Sequence, residues 1–253
     1  MSEGQIRVGI GGWTFPPWRG TFYPNKWPQS KELDYASRAL TVIEINSTFY
    51  SRQSPKSWEK WAATAPDGFQ FAIKGSRFCV TRPKLADAGE GIDTFFAQEM
   101  TALGPKLGPI MWQLAPRRKF DRDDIARFID LLPLKYDGQK LRHAIEPRDE
   151  SYRDERFVEL CRARNVAIVF DDSEKFPAID TDSADFTYAR LQRMSEDVAT
   201  GYEADALDTI ADRARQQQDA GRDVYLLLIN GAKVRAPMAA LALQERLALS
   251  PRK

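Results

Sequence analysis

The sequence predicts an α/β fold, a single (β/α)8 TIM-like barrel over residues 1–253, on three observations. Eight short runs rich in Ile, Val, Phe or Tyr recur along the chain, most of them ending at Gly, Asn, Pro, Asp or Ser. Helical patterns separate most of these runs, and strands alternating with helices mean a parallel sheet joined by crossovers. No low-complexity stretch or linker divides the 253 residues, a length that one barrel accommodates.

The first run, 6–11, opens the chain, and a loop crowded with Trp13, Phe15, Trp18, Phe22, Tyr23 and Trp27 follows it. A helix is predicted over 31–40, with Ser30 as its N-cap. The run 42–46 comes next, then a Trp-rich helix at 58–65, the run 69–74 and a helix at 94–103. After the run 110–114, the pattern 121–132 begins with three acids in four residues and sets Ile125, Phe128, Ile129 and Leu132 on one face. The run 143–146 leads to a helix at 154–164 carrying Phe157, Leu160 and Cys161 on one side. The runs 167–170 and 186–191 are joined by 172–185, where no helix is visible, so this crossover is expected to be an irregular loop. Long Ala- and Leu-rich helices at 203–220 and 237–249 flank the last run, 224–229. A doubly wound open sheet is the alternative fold. Its dinucleotide fingerprint is incomplete in Gly9-Ile10-Gly11-Gly12-Trp13, because Thr14 stands three residues after Gly11 and prolines follow.

Composition excludes several classes. Apolar residues make up 43% and charged residues 29%, which rules out a disordered or fibrous chain. A formal net charge of +1 argues against a general nucleic-acid coat protein, although not against a local basic patch. No apolar stretch approaches membrane-spanning length, so no membrane partner is expected. No secretory signal is visible, and two cysteines, Cys79 and Cys161, match cytosolic usage; the expected location is cytoplasmic.

In such a barrel, chemistry belongs to the C-terminal ends of the strands. Those ends carry Trp13; Glu44, Asn46 and Tyr50; Lys74; Gln113; Glu146 and Arg148; Asp171; Arg190; and Asn230 and Lys233. Strand side chains alternate, so Glu44 shares a face with Asn46, one layer deeper, and Arg190 lies beneath Gln192. A buried Glu and a buried Arg each need a partner, which predicts an internal ion network at the barrel top.

The opening Gly9-Ile10-Gly11-Gly12-Trp13 with Trp18-Arg19-Gly20, and above all Glu44-Ile45-Asn46-Ser47-Thr48-Phe49-Tyr50, resemble the YecE-like family (domain of unknown function 72). The strand Phe71-Ala72-Ile73-Lys74, Leu107-Gly108-Pro109 and the stretch from Tyr188 to Leu191 extend the resemblance over nearly the whole chain. It implies a TIM-type barrel and brings no established reaction. The chain departs from the family pattern in reading Glu146-Pro147-Arg148-Asp149 and Arg190-Leu191-Gln192-Arg193, where relatives tend to carry histidines. The one histidine here, His143, opens the fifth run, near the opposite face, and is expected to be structural.

Several chemistries compete for these residues. Glu44, Glu146, Asp171 and Asp172 without histidine do not suit zinc or iron; the sequence requires no cofactor or metal, and an oxygen-only Mg²⁺ or Mn²⁺ site is the remaining metal alternative. Barrel glycosidases place carboxylates where Gln113 and Arg190 stand here. The favoured reading is an enzyme for a small anionic substrate, a phosphorylated sugar or nucleotide-like molecule. Glu44 or Glu146 would do acid–base work, with Asp171 a further carboxylate, and Lys74 would serve as an electrophile or Schiff-base amine. Arg148, Arg190 and Lys233 would hold the anion beside Asn230, with Asn46 and Gln113 orienting it and Trp13 and Tyr50 offering rings to stack on. The alternative is a non-catalytic barrel that binds nucleic acid or a metabolite. Sequence gives no oligomeric state.

Overall fold

The computed structural model describes residues 4–249. Its elements, in order, are β1 (Ile6–Gly11), α1 (Glu32–Ala39), β2 (Val42–Ile45), α2 (Ser47–Tyr50), α3 (Pro55–Thr64), β3 (Gln70–Lys74), α4 (Arg77–Val80), α5 (Gly89–Phe96), β4 (Leu107–Gln113) and α6 (Arg122–Leu131). A two-stranded antiparallel hairpin, β5 (Lys135–Tyr136) with β6 (Gln139–Lys140), precedes β7 (His143–Glu146). Then come α7 (Glu155–Ala163), β8 (Ala167–Ile168), β9 (Phe170–Asp171), β10 (Phe186–Leu191), α8 (Ala204–Asp219), β11 (Asp223–Leu228) and α9 (Ala236–Arg246).

Nine strands form one parallel sheet in the order β8-β7-β4-β3-β2-β1-β11-β10-β9. Its two ends, β8 and β9, are halves of one strand interrupted at Val169, whose N–H donates to the Ile145 carbonyl at 2.9 Å. The sheet therefore curls round on itself into a barrel with eight strand positions. Alternation splits the core into two layers. Val42, Ala72, Met111, Ala144, Tyr188 and Leu227 fill the barrel. Ile10, Ile43, Ile73, Ile110, Ile145 and Leu226 face the helices. Helix α6 shows one such attachment. Asp121 caps it by accepting from the Asp123 and Asp124 N–H groups, and its apolar stripe buries Ile125, Phe128 and Ile129, each contributing about 1.5–3 kcal/mol.

Several boundaries shift, among them that of α3, which starts at Pro55. Ser30 lies inside a 3-10 turn, Gln29–Lys31, and the helix proper starts at Glu32. The helix expected at 94–103 is α5, which starts at Gly89 and ends at Phe96. Glu99 turns left-handed (φ 65°) beyond it, and Met100–Lys106 continues as 3-10. Strand β4 begins three residues early, at Leu107, and the last helix, α9, stops at Arg246. The 172–185 crossover has no helix, as expected. A cavity of about 640 Å³ is left between the outer face of β10, where Ala189 is small, and α8. His143 is buried away from the mouth: its Nδ1 accepts from Trp112 Nε1 at 3.1 Å and its Nε2 donates to the Pro133 carbonyl at 2.8 Å. Burial holds its pKa down at about 4, so the ring is neutral and structural. Both cysteines are free and buried, with pKa values raised by burial, Cys79 to about 12.

Candidate functional site

At the C-terminal end of the barrel the interior turns from hydrocarbon to charge. Glu44, Lys74, Gln113, Glu146, Asp171 and Arg190 come from six different strands, and all are buried. Each stands two residues after an interior apolar or aromatic residue of its own strand: Val42, Ala72, Met111, Ala144, Val169 and Tyr188. Strand register levels them, with Gln113 beside Glu146 and Arg190 beside Asp171. Strand β1 contributes no side chain to this layer. A Cβ on Gly11 would come 2.7 Å from Ile229 Cγ2 and 3.1 Å from Asn46 Nδ2.

Arg190 is the hub, at 2% exposure. Its Nη2 and Nε hold Glu44 Oε1 and Oε2 at 3.0 and 3.2 Å, and its Nη1 pairs with Glu146 Oε2. The Tyr188 hydroxyl donates to Glu44 Oε2 at 2.7 Å. Gln113 Nε2 donates to both Glu146 oxygens at 3.0 and 3.1 Å, and Arg148 Nε to Oε1 at 2.7 Å. Burial alone would raise the Glu146 pKa, but Arg190, Arg148 and Gln113 more than offset it and hold the carboxyl below its usual range. Burial likewise opposes the charge on Arg190, and the two glutamates more than restore it. Glu44, Glu146 and Arg190 thus form a satisfied buried triad. Such a triad adds little net stability but is costly to break, about 3–5 kcal/mol on losing one partner.

Two members of the ring differ. Asp171 accepts from the Ser173 N–H at 2.7 Å and from Gln192 Nε2, yet its pKa is raised, by burial first and then by Glu146. Lys74 is 8% exposed and makes no hydrogen bond or ion pair through its ammonium among the described residues. Its Nζ rests 4.4 Å from the centroid of the Phe49 ring. Burial first, then Arg190 and Arg148, lower its pKa to about 8 against the opposing pull of Glu44 and Glu146. Arg148 has its guanidinium 4.2 Å from the Phe176 ring centroid, and only its Nε is bonded; both terminal nitrogens lack partners among the described residues.

The remaining predicted residues are more dispersed. Asn230 donates to Gln192 Oε1 at 2.7 Å, which carries the network from Asp171 out to the rim, and Asn46 leans on the Glu44 carbonyl at 3.4 Å. Gly231 makes that rim contact achievable: its φ is +49°, and a Cβ there would sit 2.1 Å from the Gln192 carbonyl oxygen. Trp13 packs edge-on against Trp61 and Phe71, in the layer between sheet and helices and away from the ion cluster. Tyr50 is 62% exposed beside Phe49. Lys233 lies over Phe15 and Trp18 in the aromatic loop. Sequence reasoning did not place Tyr188 and Phe176 in the site. Tyr188 carried a usable signal, since it stands two residues before Arg190 and so on the same strand face. Among the described residues no group of three or more His, Cys, Asp or Glu side chains is placed to hold a metal, and no helix is long and apolar enough to cross a membrane.

Comparison with known proteins agrees with this architecture. The family described as "Protein of unknown function DUF72" matches residues 7–253. The UPF0759 protein YunF of Bacillus subtilis (strain 168) is 24% identical over 127 residues, which span 48% of this chain and 44% of that protein. The crystal structure of a DUF72 family protein from Thermotoga maritima MSB8 superposes with a TM-score of 0.78 at 20% identity, over 96% of this chain and 99% of that one. A DUF72 family protein from Enterococcus faecalis V583 gives 0.76 at 16% identity, over 99% of this chain and all of that one (100%). At these identities the structures speak for a shared fold.

Proposed function

The chain belongs to the DUF72 family, a family of TIM-type barrels, and from its mouth we propose that it is an enzyme acting on a small anionic substrate. The observation that carries this reading is the unspent capacity of Lys74 in the ring and of Arg148 just above it, where the ring's other charges are satisfied. The terminal nitrogens of Arg148 form a fork open to a carboxylate or phosphate, and the stem is immobilised by Glu146 and Phe176. Arg190 has its fork committed to Glu44 and Glu146, so in this reading it positions the cluster and Arg148 binds the anion. Glu44 and Glu146 are committed in turn to arginine, tyrosine and glutamine. Acid–base work therefore falls to Asp171, whose raised pKa suits a proton carrier, and to Lys74. Asn46 and Asn230 orient the substrate from the rim and Gln113 from within the ring, Tyr50 and Phe49 border it, and Lys233 and Trp13 stiffen the first loop from behind.

A thermal-shift panel of inorganic phosphate, small carboxylates, sugar phosphates and nucleotides tests this on wild type and Arg148→Met. A ligand at 100 times its Kd adds about 2.7 kcal/mol to stability, a shift of several degrees for a chain of this size. The expected result is a shift by at least one anion that is lost in the variant while its unliganded Tm stays near wild type. No shift across the panel overturns the reading.

A further inference from the structure

We propose that Lys74 is the covalent centre of this site, an amine that condenses with the carbonyl group of a small anionic aldehyde or ketone to form an imine. The inference rests on the anion-binding reading above and names the substrate class for it. Four features of the geometry meet at this side chain. Lys74 closes β3 on the barrel interior, so its stem rises within the ring and its nitrogen reaches the mouth. Its backbone is pinned, because the Thr48 hydroxyl donates to the Lys74 carbonyl at 2.6 Å. Its ammonium lies against an aromatic face, with no carboxylate among the described residues within ion-pair distance to hold it charged. The unbonded edge of Arg148 supplies the companion site for the substrate's anionic group, and Arg148 is among the charges that act on Lys74.

The charged groups that face Lys74 are Glu44 from β2, Glu146 and Arg148 from the end of β7, and Arg190 from β10. The carboxylates are engaged by the arginines, and burial with the two guanidiniums keeps part of the Lys74 population neutral near pH 8. A neutral, desolvated lysine is the nucleophile that imine chemistry requires.

The step balances with the groups present. The Nζ lone pair attacks the carbonyl carbon, the C–N bond forms, and the carbonyl π pair moves to oxygen. A proton passes from nitrogen to that oxygen and gives a carbinolamine. In this proposal the Asp171 carboxyl, its pKa raised by burial and by Glu146, donates a proton to the hydroxyl, which leaves as water while the nitrogen lone pair closes the C=N bond. The products are a protonated imine on Lys74, an Asp171 carboxylate and one water. The iminium acidifies the adjacent carbon, and the carboxylate just formed is the base in the same ring.

Competitive reductive alkylation tests this without knowledge of the natural substrate. Wild type, Lys74→Met and Arg148→Met are treated at pH 7.5 with cyanoborohydride and limiting formaldehyde, or with glyoxylate, and alkylation is read lysine by lysine from peptide masses. A lysine near pKa 8 has a neutral fraction at pH 7.5 far above that of an ordinary lysine near 10.5, so formaldehyde is expected to modify Lys74 about tenfold faster than exposed lysines. Glyoxylate is expected to widen that preference, and Arg148→Met to remove the widening while leaving the formaldehyde preference. The Lys74→Met map should lose only the peptide holding residue 74. If formaldehyde shows no preference for Lys74, the imine proposal falls whatever the anion panel shows. If formaldehyde prefers Lys74 but glyoxylate gains nothing, the amine is reactive and pairing with an anion at Arg148 is wrong.

Discussion

Lys74 puts opposing demands on one residue. An interior position at a strand end calls for an apolar or paired side chain, and this one is a cation beside two others. Its folded pKa, about 8, lies below the ordinary lysine value of 10.5. Below pH 8 both folded and unfolded chains carry the proton, and the fold bears the full cost of housing it. Between pH 8 and 10.5 the folded chain has released the proton while the unfolded chain keeps it, so folded stability rises with pH in that window. Lys74→Met removes the cost at the expense of the contact with the Phe49 ring. We expect the variant to be more stable than wild type by about 2 kcal/mol at pH 7, with the gap shrinking as pH rises from 8 toward 10.5. Urea titrations at pH 7 and pH 10 measure this. A variant less stable at pH 7, or a gap that does not change with pH, would show that the site does not strain its lysine. A residue that destabilises its own fold and is nevertheless present suits a functional role.

At the scale of elements, the barrel's weak place is the crossover between β9 and β10. With no helix available, the 172–185 loop is stitched down by side chains. Ser183 Oγ accepts from the Ile168 N–H at 2.9 Å and donates to the Val166 carbonyl at 2.8 Å, and Asn165 Oδ1 accepts from the Asp185 N–H at 2.7 Å. Arg213, which lines the cavity beneath α8, pairs with Asp180. Ser183 thus does for β8 what a neighbouring strand does elsewhere. Ser183→Ala should cost about 1–3 kcal/mol by stranding a buried donor and a buried acceptor, read as a fall in urea midpoint at unchanged slope; a loss under about 0.5 kcal/mol would mean that water replaces the hydroxyl. The contrast with the rest of the chain explains what was legible in advance. Strand runs and the amphipathic faces of α6, α7 and α8 are local, periodic signals, and period-two alternation was enough to put Glu44 and Arg190 inside. Helix α5 was displaced because Gly89 and Gly91 read as loop, while its burial of Ile92, Phe95 and Phe96 is a tertiary effect. The pairings across the mouth, Arg190 with both glutamates and Arg148 with Phe176, join residues distant in sequence and depend on closure of the sheet, which no local pattern reports.

Closure also decides how the whole molecule should behave. The first strand pairs with the last: Ile6 to Ile10 of β1 lie in register with Val224 to Leu228 of β11, and α9 packs on both. The buried charge cluster ties the same halves together, since Glu44 belongs to the second strand, Glu146 to the middle of the chain and Arg190 to the penultimate strand. Freeing either half would expose two sheet edges and leave buried charges without partners, so neither has a stable partial structure to fall back on. Unfolding is therefore expected to be all-or-none despite a length above the usual two-state range. The distribution of tryptophan makes this measurable. All six, Trp13, Trp18, Trp27, Trp58, Trp61 and Trp112, lie before residue 113, whereas α7, α8 and α9 all lie after it. Fluorescence thus reports the N-terminal half, and far-UV circular dichroism draws much of its helical signal from the other. Urea curves followed by the two probes should share one midpoint and one slope. A fluorescence transition displaced from the helical one would mean that the halves separate before they unfold, and that the charge cluster at their junction does not hold the barrel shut.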